Sequence, residues 1–319
     1  EIIKLCAPKK GGVFVDCTFG GGGYSRRLLK FSKTKVKAFD RDQFISKIAK
    51  SLEKKYPNRF FFYHKKFSEI DSVVDNKSAD VVIFDLGLSS IQLDNLDRGF
   101  SFKSKKKLDM SMGLSNISAE EVVNNYSEEK LKLIIKILGE EKDASRIAKN
   151  IINTRIIKKI TKVNELVEII EKSKKKNYKS KINPSTKTFQ ALRIFVNKEI
   201  TELIGGIINA AKILKPGGKI LIISFHSIED KIVKYFFTNF SSNRSRPSRY
   251  LPETIEDNIS LFEKYKNKIF KPSRAEIDKN FASRSAKLRY AIRNTNKFIY
   301  PEELVSKFKK YLDLESFYA

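Results

Sequence analysis

The chain predicts a doubly wound α/β sheet interrupted by a helical insert, and three observations point there. Residues 13–42 read as a strand, a four-glycine turn, a helix and a second strand ending in an acid. Short apolar runs then alternate with helical patterns, as buried parallel strands do. The interval between the fourth and fifth runs is far too long for one crossover and has helical patterns of its own.

Residues 13–17 are apolar and β-branched, and Gly20, Gly21, Gly22 and Gly23 follow, opening a helix over 24–30. Glycines permit φ > 0 and let a ligand lie against bare backbone at a helix N-terminus. Asp40 ends the strand at 36–39, where an acid accepts hydrogen bonds from a ribose. No Gly-Lys-Ser/Thr follows the glycines, so the turn is not a phosphate-gripping loop. Nor is it a clean GxGxxG, because the third position falls on Ser25. Asp16-x-x-x-Gly20-x-Gly22 points instead to S-adenosylmethionine, an adenosine without phosphates.

Residues 60–64 and 80–86 supply the third and fourth strands, and 219–226 the fifth, announced by Pro216-Gly217-Gly218. Residues 268–271 and 288–292 read as late strands. In the long interval, Ser118 and Glu121 form a capping box, and a helix at 128–138 ends at Gly139. Ala144, Ile147, Ala148, Ile151 and Ile152 make one apolar stripe at helical spacing; Val163, Leu166, Val167 and Ile170 make another. Both stripes read as core packing. The expected organisation is a sheet domain over 1–103, an inserted all-helical subdomain over 104–186, and the sheet domain's second part over 187–319. Residues 188–214 are expected to return to the sheet as one long helix.

With 41% hydrophobic residues in 319, the chain can build a core, and no apolar run reaches the ~18 residues of a membrane span. It begins at Glu1 without Met, and an opening segment is expected to be missing. Two cysteines, Cys6 and Cys17, argue against a disulfide framework and fit a reducing, cytoplasmic setting. His64 and His226 are the only histidines, so no metal site is expected. The net charge is +27, which suits a polyanionic partner or, equally, a surface dressed throughout with lysine. Residues 104–186 hold 19 basic and 11 acidic residues, net +8, and the densest basic run spans 172–181.

Ligands of such sheets bind beyond the carboxyl ends of the strands. That edge collects the glycine turn, Asp40, Phe67, the loop from Asp85 to Ser90, and His226. Asp85 either caps the following turn or sits over the ligand crevice. Phe67 either covers an adenine face or packs, and His226 either contacts substrate or braces its strand end.

Several stretches, taken together, carry a resemblance. They are VDCTFGGGGYS at 15–25, FDRD at 39–42, FDLGLSSIQLDNLDRGFSF at 84–102, LDMSMG at 108–113, TFQALRIFVNKE at 188–199, LKPGGKILIISFHSIEDKIVK at 214–234 and KPSRAEIDKNFASRSAKLR at 271–289. In them the chain resembles, almost end to end, the bacterial small-subunit ribosomal RNA cytosine-N4-methyltransferases, the RsmH or MraW family. The resemblance implies a Rossmann-like class I methyltransferase sheet with an inserted helical domain. It also implies S-adenosylmethionine as cofactor and, as substrate, a decoding-region cytidine of the small-subunit RNA or of the assembling subunit. Carried over motif by motif, it implies that Gly22, Gly23, Tyr24, Asp40, Phe67, Asp85 and Gln92 hold the cofactor. Two departures stand out: Ile91 where proline is usual, and Phe281 in place of the frequent proline of NPRxRS. A His-x-Pro-Val type motif at the opening is not in the sequence.

The chemistry is consistent from below. Transfer from a sulfonium is an in-line displacement, so orientation of donor and acceptor dominates the rate. The N4 amine of cytosine is conjugated with its ring, and acceptors aimed at its N–H groups would hold its lone pair towards the methyl. Asp85 and the carbonyls of Leu86 and Gly87 are the candidates, with His226 as a second catalytic candidate. Methylation at C5 would need a thiolate, and neither cysteine lies in the strand-four loop. A base in RNA must be unstacked to enter such a pocket. Arg98, Arg193 and Arg284 are expected near the sheet edge to meet RNA. Two rivals remain: a nicotinamide-dependent oxidoreductase, and a non-catalytic basic RNA-binding protein on a degenerate fold.

Overall fold

The computed structural model describes residues 1–174, 183–243 and 260–317. From residue 175 onward, the basic run at 172–181 lies outside the described residues. The chain divides into two compact units, Glu1–Gly87 with Glu202–Phe308, and Leu88–Thr201 with Lys309–Ala319.

The chain opens with α1 (Ile2–Cys6), β1 (Gly12–Asp16), α2 (Gly23–Leu29), β2 (Thr34–Asp40), α3 (Ser46–Lys55), β3 (Phe60–His64) and β4 (Ala79–Asp85). Helices α4 (Ser90–Asp94), α5 (Ala119–Asn125), α6 (Glu128–Leu138), α7 (Ala144–Ile157), α8 (Val163–Ser173), α9 (Thr186–Asn197) and α10 (Glu199–Ile213) follow. The chain then forms β5 (Leu214–Ser224), α11 (Ser227–Asn239), α12 (Arg274–Lys279), β6 (Lys287–Ile292) and α13 (Glu302–Glu315).

The first unit holds one six-stranded sheet in the order β3-β2-β1-β4-β5-β6. Neighbours from β3 to β5 are parallel, and β6 runs antiparallel to β5. The winding reverses between β1 and β4, which opens a crevice at the carboxyl ends of those strands. Contiguous burial explains the apolar runs: Phe14, Val15, Phe39, Val82, Ile83, Phe84 and residues 220–223 are all inside. Arg289, on β6, is also buried; it donates to Asp230 (2.8 Å), Tyr265 (3.0 Å) and Asn267 (2.8 Å), so its charge is paired rather than orphaned.

In the second unit, α6 packs on α7 and α9, and α7 packs on α8. Most of the two stripes read from the sequence lie in its core: Ile147, Ala148, Ile151, Val163, Leu166 and Ile170 are fully buried, joined by Leu131 and Ile135 of α6, while Ile152 and Val167 are half-buried. Gly139 ends α6 where a Cβ would come within 2.5 Å of the Lys187 carbonyl oxygen, a contact no other residue type could make. Ser118 and Glu121 close the expected capping box at α5.

Two expectations are corrected. The single helix at 188–214 is two, α9 and α10, divided at Lys198 in a left-handed conformation (φ 48°, ψ 44°). The Glu315 carboxyl explains the restart, accepting from the amides of Ile200 (3.0 Å) and Thr201 (2.8 Å) at the start of α10. Residues 268–271 form no strand; an isolated bridge, Phe270 to Leu288, and a ring contact, Phe270 to Tyr290, join them to β6.

Candidate active site

The turn between β1 and α2 uses its glycines for different reasons. Gly22 caps α2 at φ 76°, and a Cβ there would meet the Phe19 ring at 2.9 Å. Among the described residues, a Cβ on Gly23 would meet nothing within 4 Å, which leaves bare backbone at a helix start for a ligand. Gly20 donates its amide to Asp40 Oδ2 (2.8 Å), and Asp42 donates to Oδ1 (2.9 Å). Each oxygen of a carboxylate accepts twice, so Asp40 retains capacity for a ligand's hydroxyls. Burial lifts the Asp40 carboxyl to about 6, against the pull of those two amides.

Asp16 and Asp85 end the two central strands. Asp16 is fully buried and accepts from Ser25 Oγ (2.6 Å) and the Thr18 amide (3.4 Å); burial raises its pKa above the usual carboxylate value. The Asp85 amide donates to Thr18 Oγ1 (2.7 Å), tying β4 to the end of β1. The Tyr24 hydroxyl, from the first turn of α2, acts on the Asp85 carboxylate as a donor that favours its charged form. Burial pushes Asp85 up to about 7; the Tyr24 bond opposes the rise, and the charges of Asp16 and Glu229 add to it. Burial and Asp85 together raise the Tyr24 phenol. Among the described residues, no cation is a main influence on these three carboxyls, an environment suited to a positively charged ligand bearing hydroxyls.

Phe67 follows β3 and packs edge-on against Phe84 (centroids 5.4 Å apart), directly over Gly206 of α10, where a Cβ would lie 2.6 Å from the ring. It remains half-exposed. His226 is the N-cap of α11, its Nδ1 3.5 Å from the Glu229 amide and its Nε2 3.1 Å from Glu229 Oε1. Glu229, buried, also accepts from the Phe225 amide (2.7 Å), so the ring is braced by the helix it caps. Arg284 is exposed, with its guanidinium 4.2 Å from the centre of the Phe281 ring. Gly22, Gly23, Tyr24, Asp40, Phe67, Asp85, His226 and Arg284 all belong to the sheet unit.

Gln92, Arg98 and Arg193 belong to the helical unit. Gln92 closes a capping box at α4 by accepting the Ser89 amide (3.0 Å). Arg98 is buried, donates to the Ser111 carbonyl (2.7 Å) and lies over Phe100. Arg193 forms a two-pronged pair with Glu199, both distances 2.9 Å.

The sequence reading assigned no site role to Asp16, Thr18, Ser25 or Glu229, although Asp16 belongs to the pattern that pointed to S-adenosylmethionine. Asp16 carried a signal, an acid ending an apolar strand four residues before the first glycine. The others did not. Cys6 and Cys17 are both buried, and burial raises both thiols, Cys6 to about 12, so neither yields a thiolate near neutral pH.

A doubly wound sheet whose central strands end in acids around a glycine turn defines a Rossmann-like methyltransferase. The chain belongs to the MraW methylase family, whose description matches residues 1–294. It is 43% identical over 298 residues to the ribosomal RNA small subunit methyltransferase H of Ehrlichia canis, covering 91% of this chain and 96% of that protein. Against the same enzyme of Neorickettsia sennetsu it is 42% identical over 290 residues, covering 91% and 92%. A solved rRNA methylase from Streptococcus thermophilus aligns over 92% of this chain and 96% of its own at 11% identity, with a TM-score of 0.40.

Proposed function

We propose that this protein methylates the exocyclic N4 of a cytidine in the decoding region of small-subunit ribosomal RNA, using S-adenosylmethionine. The observation that carries the reading is Asp85. It ends β4 beside the glycine turn, tied through its amide to Thr18 (2.7 Å), with the Tyr24 hydroxyl favouring its charged form. Family membership and the names of its relatives support the ribosomal substrate.

The residues fit the cofactor. Gly22 and Gly23 offer backbone at the start of α2, Asp40 has acceptor capacity for ribose hydroxyls, and Phe67 has a half-exposed ring for the adenine. Tyr24 and Asp85 complete the sheet unit's proposed set; Gln92 is proposed on the family resemblance alone. When bound, the cofactor supplies an electrophilic methyl on a sulfonium. The protein's own part is orientation. Asp85 and the carbonyls of Leu86 and Gly87 accept the N4 protons and fix the direction of the nitrogen lone pair. A carboxyl held near 7 accepts a proton from the acidic nitrogen left after transfer without needing a stronger base. His226 holds the start of α11 at the end of β5, a positioning role in this scheme.

Of the three arginines expected to meet RNA, Arg98 and Arg193 already engage Ser111 and Glu199, which leaves Arg284 as the one presented outward. We assign RNA recognition also to the insert at 104–186, on its net charge of +8. The substrate is the RNA, free or in the assembling subunit, and the setting is the cytoplasm. Among the described residues, no helix is long and apolar enough to cross a membrane.

The test is methyl transfer from labelled S-adenosylmethionine to unmodified small subunits, followed by mass spectrometry of the nucleosides. N4-methylcytidine is expected; label at C5 of cytosine, or no label in RNA, would sink the proposal.

A further inference from the structure

The stretch at 271–289 has a feature that the cofactor site does not use. It holds six basic and two acidic residues. Within it, the single 3-10 turn Phe281–Ser285 opens on a phenylalanine whose residue is 67% exposed. The turn that carries the ring is fixed. Ser283 is buried and donates to the Asn280 carbonyl (2.7 Å), and Ala286 donates to Ser283 (2.8 Å), which anchors the turn to the start of β6. Arg284 lies 4.2 Å from the ring centre, as a stacked cation. The turn leads into β6, whose first residue, Lys287, pairs with Ser224 at the carboxyl end of β5, and the preceding residue of β5, Ile223, pairs with Asp85.

We infer that Phe281, backed by Arg284, is a stacking platform for an unpaired base of the substrate RNA, beside the crevice that receives the target cytidine. The inference rests on the proposed function for the identity of the RNA. An aromatic face accepts any base, and an adjacent guanidinium adds both stacking and charge; this pairing is how single strands are held without sequence reading. The excess of four positive charges over 19 residues supplies the attraction for the phosphates on either side. Proline, the frequent residue at this position in the family the sequence resembles, offers no aromatic face, so the platform is a property of this chain.

The experiment is anisotropy of a short fluorescein-labelled single-stranded RNA of mixed sequence, titrated with the full chain over a series of salt concentrations. Phe281→Ala should weaken binding by about 5- to 150-fold, the range for losing one base stack. Its salt dependence should stay that of the wild type, because no ion pair is lost. Phe281→Trp should retain affinity, while Arg284→Ala should reduce the salt slope by about one. Heparin, a polyanion without bases, should bind the Phe281→Ala variant as it binds the wild type. An unchanged RNA affinity in Phe281→Ala, an equal loss for heparin, or a wild type that does not bind the RNA would each overturn the inference. S-adenosylmethionine affinity of each variant checks that the fold is intact. Since anisotropy needs no turnover, an absence of N4-methylcytidine would defeat the proposed reaction and leave the platform standing.

Discussion

Tyr24→Phe isolates one hydrogen bond at the centre of the site. The phenylalanine keeps the ring and removes only the hydroxyl that the Asp85 carboxylate accepts. Burial holds Asp85 at about 7, and the Tyr24 bond restrains the rise. If ionised Asp85 is needed, kcat/KM for S-adenosylmethionine, which reports groups of the enzyme before the cofactor binds, should rise with pH along a limb centred near 7. A hydrogen bond to a charged group contributes about 1.5–3 kcal/mol, and one pKa unit corresponds to about 1.4 kcal/mol. Losing the bond destabilises the anion, so the variant's limb should move up by about one to two pH units. At pH 7.5 the loss in kcat/KM should be about tenfold, shrinking to within about twofold by pH 9.5. The assay is initial-rate methyl transfer across pH 5.5–9.5 for both proteins. A limb that stays in place in the variant, or a wild-type rate flat across this range, would refute the assignment of Asp85 as the titrating acceptor.

The remaining predictions address the cofactor cradle and the fold. Asp40→Ala should weaken S-adenosylmethionine binding by about 1–3 kcal/mol in calorimetry, the scale of lost charge-assisted hydrogen bonds; equal affinity would remove Asp40 from the ribose. Gly22→Ala forces a side chain into φ 76° and against Phe19, so urea melts should show a loss of about 1–2 kcal/mol or more. Gly23→Ala meets no protein atom, so its melt should match the wild type while cofactor affinity falls by about tenfold or more. Burial raises Glu315 to about 8 from an ordinary 4.5, so the folded state keeps a proton that the unfolded chain releases. Its contribution is complete below about 4.5 and is lost as pH rises to about 8. Melts of Glu315→Gln should therefore show a shallower decline over that window than the wild type; an equal slope would count against it.

The parts of the fold legible in the sequence are those set by local pattern. Parallel strands buried on both faces, such as β4 and β5, read as unbroken apolar runs, and β2 and β4 end at the acids that punctuate those runs. Helix stripes in the insert were equally plain because their period is local. What stayed hidden depends on partners distant in sequence. Nothing around Lys198 announces a helix break; the residue that accepts the restart's amides is Glu315. The same holds within the site. Asp85 at a strand end was readable, but its bond to Tyr24 and its lift to about 7 arise from packing two separate strand ends together. Arg98 reads as surface by composition, yet it is buried because its own loop offers the Ser111 carbonyl as partner.

The cap on α10 also imposes an order on biosynthesis. The Ile200 amide finds its acceptor 115 positions further along the chain, so a ribosome must add the end of the sheet, including β5 and β6, before that helix start is satisfied. Until then two amides await a partner, one of them bound for a buried position, where an unmet donor costs about 1–3 kcal/mol. Synthesis that halts before Glu315 therefore yields a chain with its strands in place and a helix left open. Such a truncated product would be an early target for proteolysis, because quality control acts on the population of opened states.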